Sequence, residues 1–528
     1  ERGSAIPPIS GLLNRRGVLP DDQEPVENAF KSLCRLHDDG RNHIWGYYIR
    51  NVARPLWFTR ENNRVDVLVG NPPWLAYRFM PDQMQESYRR LATARGIWSS
   101  GRALVTQQDL SDLFVVRSVE QYLKMSGKFG FVMPASTLSR QQFEGFRAGD
   151  FPLNEAPSAV TFGVPWDLRS VQPHIFPVPA CVVFGERTRY AHAMPTEADR
   201  IGVRIPTEGA RFGEITEEAE VDRVTIAVAD PNAPRSPYSA RFTQGFNAQP
   251  RYLVLVRDEP PGTLGVPMGT RRVRSARSPL EDRRYRDLPD QVGVVEEQYV
   301  RKTYLGAQIL PFGLLPPELA VVPANSRQVI PEQAVIGETH PHLADWWSRA
   351  SDSWLENRTD ASRLSLWGQV NFQGKLEVQI PSAERRVIYT ASGNRIAAAR
   401  LNDASALAEH SVYWATVNSD QEGLYLVAVL NSDGVHERVE PLMAEGLFGA
   451  RHIDSYVWHT MVPQFDPNED GHIRLAELGA NAEALIETTD LGDAGFQRKR
   501  RTARDLLRDQ GLMAQIDEVV LSMLPARY

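Results

Sequence analysis

Apolar positions along the chain switch between two periods, and the switch points mark out its elements. Val65-Asp66-Val67-Leu68-Val69-Gly70 is a short β-branched run stopped by glycine, the pattern of a buried strand that ends in a turn. From Gln108 to Lys124 the apolar residues Leu110, Leu113, Phe114, Val116, Val119, Tyr122 and Leu123 recur at helical spacing, and Met125-Ser126-Gly127 closes the stripe. Phe129 to Pro134 reads as another buried strand, Gln141 to Arg147 as a short helix, and Ala180 to Gly185 as a third strand. Strand, helix, strand, helix, strand at this spacing predicts an α/β layer with a largely parallel sheet.

The flanks read differently. Residues 1–60 open with Pro- and Gly-rich sequence and turn helical from about Asp22 to Asp38. From about Pro234 the regular alternation is lost: short strands such as Tyr252 to Val256 and Val387 to Tyr389 stand among many prolines, which predicts an irregular α+β domain. A helix-rich stretch from about Gly492 to Leu524 follows. The expected division is a helical lead-in (1–60), an α/β domain (61–235), an α+β domain (236–480) and a helical tail (481–528). There is no internal repeat and no low-complexity tract.

Composition narrows the class. In 528 residues, 42% hydrophobic and 24% charged content are globular values, which exclude fibrous and wholly disordered chains. No run approaches the roughly 18 to 20 apolar residues of a spanning helix. No charged segment followed by an apolar core opens the chain, so a cytoplasmic protein with no membrane partner is expected. Cys34 and Cys181 are too few for a disulfide framework or a four-thiolate zinc site, and His452, His459 and His472 have no zinc-like spacing, so no metal is expected.

Lys and Arg number 59 against 66 Asp and Glu, a net charge of −7, which argues against a protein that coats nucleic acid non-specifically. Sums conceal patches, however. Arg271, Arg272, Arg274, Arg277, Arg283, Arg284 and Arg286 stand against Glu281 and Asp282, and a second cluster comprises Arg498, Lys499, Arg500, Arg501 and Arg504. Thr207 to Asp222, by contrast, is acidic. A basic strip on an acidic protein is what a phosphate-contacting groove needs, although a solvated arginine-rich face has the same sequence signature.

The sharpest chemical signal is Asn71-Pro72-Pro73-Trp74, directly after the strand that ends at Gly70. The carboxyl end of a strand is where α/β proteins bind ligands. Pro72 and Pro73 fix φ and remove two backbone donors, which leaves the loop carbonyls free to accept. With the Asn71 side-chain carbonyl and the flat Trp74 ring, they suit a planar base whose exocyclic amine must be held and stacked, as in enzymes that flip a nucleotide from the duplex.

This loop resembles motif IV of the amino-group DNA methyltransferases, Asn-Pro-Pro-aromatic, whose usual target is adenine N6. The resemblance continues in the family's order. Asp109-Leu110-Ser111-Asp112-Leu113-Phe114 resembles motif V, Gly127 to Ser136 resembles motif VI, and Ile175-Phe176-Pro177 resembles motif VIII. Phe242 to Gly245, Tyr389 to Gly393, Val429 to Ser432 and Met461 to Phe465 look like landmarks of the target-recognition region in large type IIG, BREX and DISARM methyltransferases.

The resemblance implies the C-terminal half of a Rossmann-like methyltransferase sheet, then an α+β target-recognition domain and a helical tail. It implies S-adenosylmethionine as cofactor, double-stranded DNA as partner and a role in restriction-modification or phage defence. Asn71, Pro72, Pro73 and Trp74 would be catalytic, and Phe176 would stack on the flipped base from the other side. Leu110 and Phe114 would line the cofactor adenine, or serve only as helix core. Arg271, Arg272, Arg274 and Arg277 would contact DNA.

The family's Gly-rich cofactor loop is found neither before Asn71 nor within residues 236–528. With the Glu1 start, this leads to the expectation that a preceding segment, or a partner chain such as another defence-system subunit, supplies that loop. The lead-in 1–60 would connect to it, and this fragment alone would be inactive. Two other readings stay open: a protein-glutamine methyltransferase, which shares an Asn-Pro-Pro-Tyr loop, and a non-catalytic DNA-recognition module of a defence complex.

Overall fold

A computed structural model of the chain describes residues 5–41, 45–98, 105, 108–152, 158–206, 212–226, 235–263, 265–278, 281–359, 363–440, 443–445, 451–453 and 456–524. The first five residues of the expected acidic stretch, 207–211, lie outside the described residues, as does the side chain of His452. The chain divides into two compact units, Glu1–Ile226 and Ala227–Tyr528.

In the first unit, helices α1 (Pro20–Asp38) and α2 (Trp45–Phe58) precede strand β1 (Val65–Gly70). Helices α3 (Asp82–Thr93) and α4 (Leu110–Tyr122) then lead to β2 (Leu123–Pro134). Five further strands complete the unit's main pairings: β3 (Ser158–Phe162), β4 (Trp166–Asp167), β5 (Ala180–Thr188), β6 (Glu197–Arg204) and β7 (Glu220–Thr225).

The sheet is mixed, which corrects the expectation of a largely parallel one. β1 runs parallel to β2, but β5 runs antiparallel to β2, from Pro134 opposite Ala180 to Lys128 opposite Glu186. β3 and β4 pair with successive halves of the outer edge of β5, both antiparallel. Apolar runs buried on both faces read alike in either direction, so direction is not legible from periodicity.

β1 differs from expectation too. It stands at the end of the sheet, paired only with β2 among the described residues. Val67 and Val69 are 64% and 74% exposed, so the strand predicted to be buried is largely open. Helix α4 is shorter than expected and ends at Tyr122; Met125-Ser126-Gly127 belongs to β2, where the register slips between the Val65–Leu123 and Val67–Lys128 pairs and Ser126 takes φ 63°.

The core of this unit packs Leu113, Val116 and Val119 of α4 against Phe129, Phe131 and Met133 of β2 and Cys181 and Val183 of β5. Two buried charges brace it. Arg95 grips Glu120 through two bonds of 2.8 and 2.9 Å, and Arg187 donates to the Leu123 carbonyl at 2.7 Å.

The second unit is built on a six-stranded sheet and a four-stranded one. The larger contains β8 (Leu255–Asp258), β9 (Thr270–Ser275), β10 (Val292–Glu296), β11 (Val300–Tyr304) and β12 (Glu318–Val321). Helix α5 (Pro341–Asn357) covers it, with Trp346 and Trp347 buried beside Val273 and Val295. The smaller contains β13 (Arg386–Thr390), β14 (Ala398–Leu401) and β15 (Val412–Thr416). The strand expected at Tyr252 to Val256 is instead a helical turn, Arg251–Val254, that runs into β8.

The tail is not a separate layer. Helix α7 (Asp470–Thr488) runs through the expected 480/481 boundary, and α8 (Phe496–Asp509) and α9 (Leu512–Met523) share one core with α6 (Asp420–Asn431). Gly479 lets α7 press on α6, because a Cβ there would stand 2.5 Å from the Leu424 carbonyl oxygen. Residues 470–520 bury Leu475, Leu507, Ile516 and Val520 in that core, so they cannot detach without exposing it.

Candidate functional site

Gly70 closes β1 under a packing constraint: a Cβ there would lie 3.0 Å from the Phe131 ring of the neighbouring strand. The chain then leaves the sheet as an extended loop. Asn71 and Pro73 are exposed, Pro72 is buried and Trp74 is half-buried. The Trp74 indole N–H donates to the Val132 carbonyl at 3.3 Å, which pins the ring over the end of β2. No backbone donor among the described residues reaches the Pro72 carbonyl.

The next residues are laced to the start of α4. Tyr77 N–H donates to the Gln108 carbonyl at 2.7 Å and Leu110 N–H to the Leu75 carbonyl at 3.0 Å, with Ala76 bridging Asp109. Asp109 caps α4 by accepting from Ser111 N–H at 3.0 Å. Motifs separated in sequence are thereby held side by side.

Phe176 reaches the same place from the segment between β4 and β5. Its ring centroid lies 5.1 Å from that of Trp74, with the planes tilted by 53°. Thus the two aromatic residues that the sequence nominates as partners are in contact. Phe114 is 43% exposed on the second turn of α4, whereas Leu110 is half-buried and packs on the core. The two cofactor candidates therefore differ: Phe114 offers an open ring, and Leu110 already serves the core.

Sequence reasoning missed a polar network beneath the loop. The Tyr88 hydroxyl lies 3.0 Å from Asp112 Oδ1, 3.1 Å from the Asp109 carbonyl and 3.2 Å from Gln108 Oε1. Burial drives the pKa of Asp112 well above the usual carboxylate range and raises Tyr88 as well. A hydroxyl has one proton for these three acceptors, so a proton retained on Asp112 relieves the shortage. The signal was present but unread: Asp112 occupies an apolar position of the α4 stripe, four residues before Val116.

The arginine candidates are mostly engaged within the chain. Arg271 forks onto Asp258; Arg274 bonds Glu259 twice at 2.8 Å and reaches Asp290 at 3.4 Å. Arg277 bonds Asp290 at 2.8 Å and the Tyr285 carbonyl at 2.8 Å. These contacts hold the Glu259 and Asp290 carboxyls below their ordinary pKa. Of the four, Arg272 alone makes no side-chain hydrogen bond or ion pair among the described residues. His472 serves structure, accepting from Asp466 N–H at 2.9 Å and packing on Tyr425.

Among the described residues no group of His, Cys, Asp and Glu could hold a metal ion, and no helix is long and apolar enough to cross a membrane.

No protein-family model and no curated protein matches this sequence. Solved structures do. The type IIL restriction-modification enzyme MmeI in complex with DNA superposes with a TM-score of 0.54, covering 88% of this chain and 55% of that one at 11% identity. A nuclease-deletion mutant of the type ISP restriction-modification enzyme LlaGI, in complex with a DNA substrate mimic, covers 85% and 44% at 11% identity, but its TM-score of 0.42 carries no argument. The chain thus spans about half the length of the solved structures it matches, and with MmeI it shares a mixed α/β fold.

Proposed function

We propose that this chain is the catalytic-loop and target-recognition portion of a restriction-modification DNA methyltransferase, acting on the exocyclic N6 amine of an adenine flipped from the duplex. The observation that carries the reading is the exposed Asn71 on a rigid Pro-Pro loop at the carboxyl end of β1, beside a pinned Trp74 ring that Phe176 contacts. The fold shared with MmeI, a restriction-modification enzyme solved with DNA, supports the same reading, as does a second unit that follows the loop and its sheet. That second unit also disfavours the protein-glutamine alternative, which needs no target-recognition domain.

Adenine N6 is a weak nucleophile because its lone pair is delocalised into the ring. Hydrogen bonds from the amine to the Asn71 side-chain carbonyl and the Pro72 main-chain carbonyl would localise that pair and aim it, so positioning is the main contribution. Trp74 supplies the stacking face. No strong base is required, because the amine proton becomes acidic only after the nitrogen is alkylated and then passes to solvent.

When bound, S-adenosylmethionine supplies the electrophilic methyl group. Phe114 would line one side of its adenine, since its ring is exposed on α4. The remaining contacts would come from strands added at the free edge of β1, in the same polypeptide or from a partner. An exposed parallel edge strand bearing Val67 and Val69 is built for cover, because parallel strands are ordinarily buried on both faces.

The test is transfer of a tritiated methyl group to adenine-containing duplex by the chain joined to its cofactor-binding complement. Asn71→Ala should abolish transfer while leaving the melting temperature unchanged; activity that survives this substitution sinks the catalytic assignment. Sequence-specific DNA binding with no transfer under any condition favours the recognition-module reading.

A further inference from the structure

The second basic cluster separates, in the fold, into buried and open arginines. Arg500 donates to the Ile309 carbonyl at 2.8 Å and to the Gly306 carbonyl, and its guanidinium stacks 5.0 Å from the Phe496 ring centre. Arg504 is buried and donates to the Ile396 and Asn431 carbonyls. These two fasten α8 to the rest of the second unit. Arg498 and Arg501 are exposed and Lys499 is half-buried, and none of the three has a side-chain hydrogen bond or ion pair among the described residues.

This placement works against the helix. The three cations stand in the first two turns of α8, whose first turn carries no acid, where the positive end of the helix dipole repels them. At the other end of the same helix, Arg508 has its carboxylate, Asp433, at 2.9 Å. The open residues also border a shallow concavity of about 690 Å³, lined by Gly495, Phe496, Gln497, Arg498, Arg501 and Thr502. Fold stability does not account for unpaired charge gathered on a rigidly anchored helix, whereas an external polyanion does.

We propose that Arg498, Lys499 and Arg501 form a contact for the phosphate backbone of double-stranded DNA, independent of sequence, which positions the second unit on the duplex. This rests on the DNA reading above and adds a surface that Arg271, Arg272, Arg274 and Arg277 do not provide, since three of those four are already engaged.

Binding of a fluorescent duplex of arbitrary sequence by the full chain would be titrated at several salt concentrations. Replacing all three residues by Gln should lower the slope of log K against log salt by about three, one unit per phosphate contact. Arg498→Lys with Arg501→Lys should keep the slope, because a phosphate needs the charge rather than the fork. A control triple outside both basic clusters, Arg327→Gln, Arg385→Gln and Arg474→Gln, should change it little. Melting temperatures of all variants establish folding.

An unchanged slope in the folded Gln triple overturns the proposal and leaves the methyl-transfer reading standing. A slope lowered as expected, in a chain that methylates no DNA even when joined to its cofactor-binding complement, supports the proposal and sinks that reading. Binding of the patch to anionic lipid vesicles, with no binding to duplex, overturns the proposal.

Discussion

The indole of Trp74 and the ring of Phe176 touch, 5.1 Å apart and tilted by 53°. A base sandwiched between two rings needs two stacking spacings of about 3.4 Å, or about 7 Å in all. In the free chain, therefore, Phe176 stands too close to Trp74 for a base to fit between the two rings. Trp74 is tied to Val132, so Phe176 is the ring that must move. Phe176→Ala should lower methyl transfer by about 5- to 150-fold, the equivalent of about 1 to 3 kcal/mol of stacking. In chain labelled with 5-fluorotryptophan, it should also shift the Trp74 resonance. Unaltered transfer would remove Phe176 from the site.

Asp112 predicts a pH dependence of opposite sign to that of an ordinary surface carboxylate. Burial raises its pKa in the folded state, so its contribution to stability is fully present below the unfolded value of about 4 and is lost as pH rises through the folded value. Asp112→Asn, which resembles the neutral acid, should gain melting temperature relative to the parent as pH rises from about 4 to 8. A difference that stays flat across that range would show that Asp112 is charged in the fold.

The arginines of β9 should not contribute equally to DNA binding. Arg272→Gln should reduce the salt slope by about one, because its guanidinium makes no direct ion pair among the described residues and feels Glu259 only at longer range. Arg274→Gln should reduce it by less, since Glu259 and Asp290 already balance that side chain. Equal effects from the two would mean that DNA displaces the internal carboxylates.

Val69→Lys tests the open edge of β1. In the chain alone the change falls on a largely exposed position and should alter stability by less than about 0.5 kcal/mol. In the chain joined to its cofactor-binding complement it should abolish transfer, because a charge would be forced into a covered interface. Full activity in that protein would show that β1 stays uncovered.

How much could be read in advance follows from what each signal measures. Helix α4 and strands β1, β2 and β5 were visible because periodicity reports which side of an element is apolar, a local property. The Asn71 to Trp74 loop was visible because two prolines after a strand leave few conformations open. Strand direction was invisible, since β5 carries the same residues whether it runs with β2 or against it. The packing of the C-terminal helices was not legible, because the burial of Gly479 and Leu507 against α6 and its neighbours depends on residues far away along the chain.

The sequence by itself determined the Asn71 to Trp74 loop and the helix and strands that bracket it, because these depend on neighbours within a few residues. Only the tertiary structure decided which charges are free. Arg271, Arg274 and Arg277 form ion pairs with Asp258, Glu259 and Asp290 across strand and loop, whereas Arg498 and Arg501 have no ion pair among the described residues. A charge is neutralised by what lies within a few ångströms of it in space, and that distance is written in no single stretch of chain.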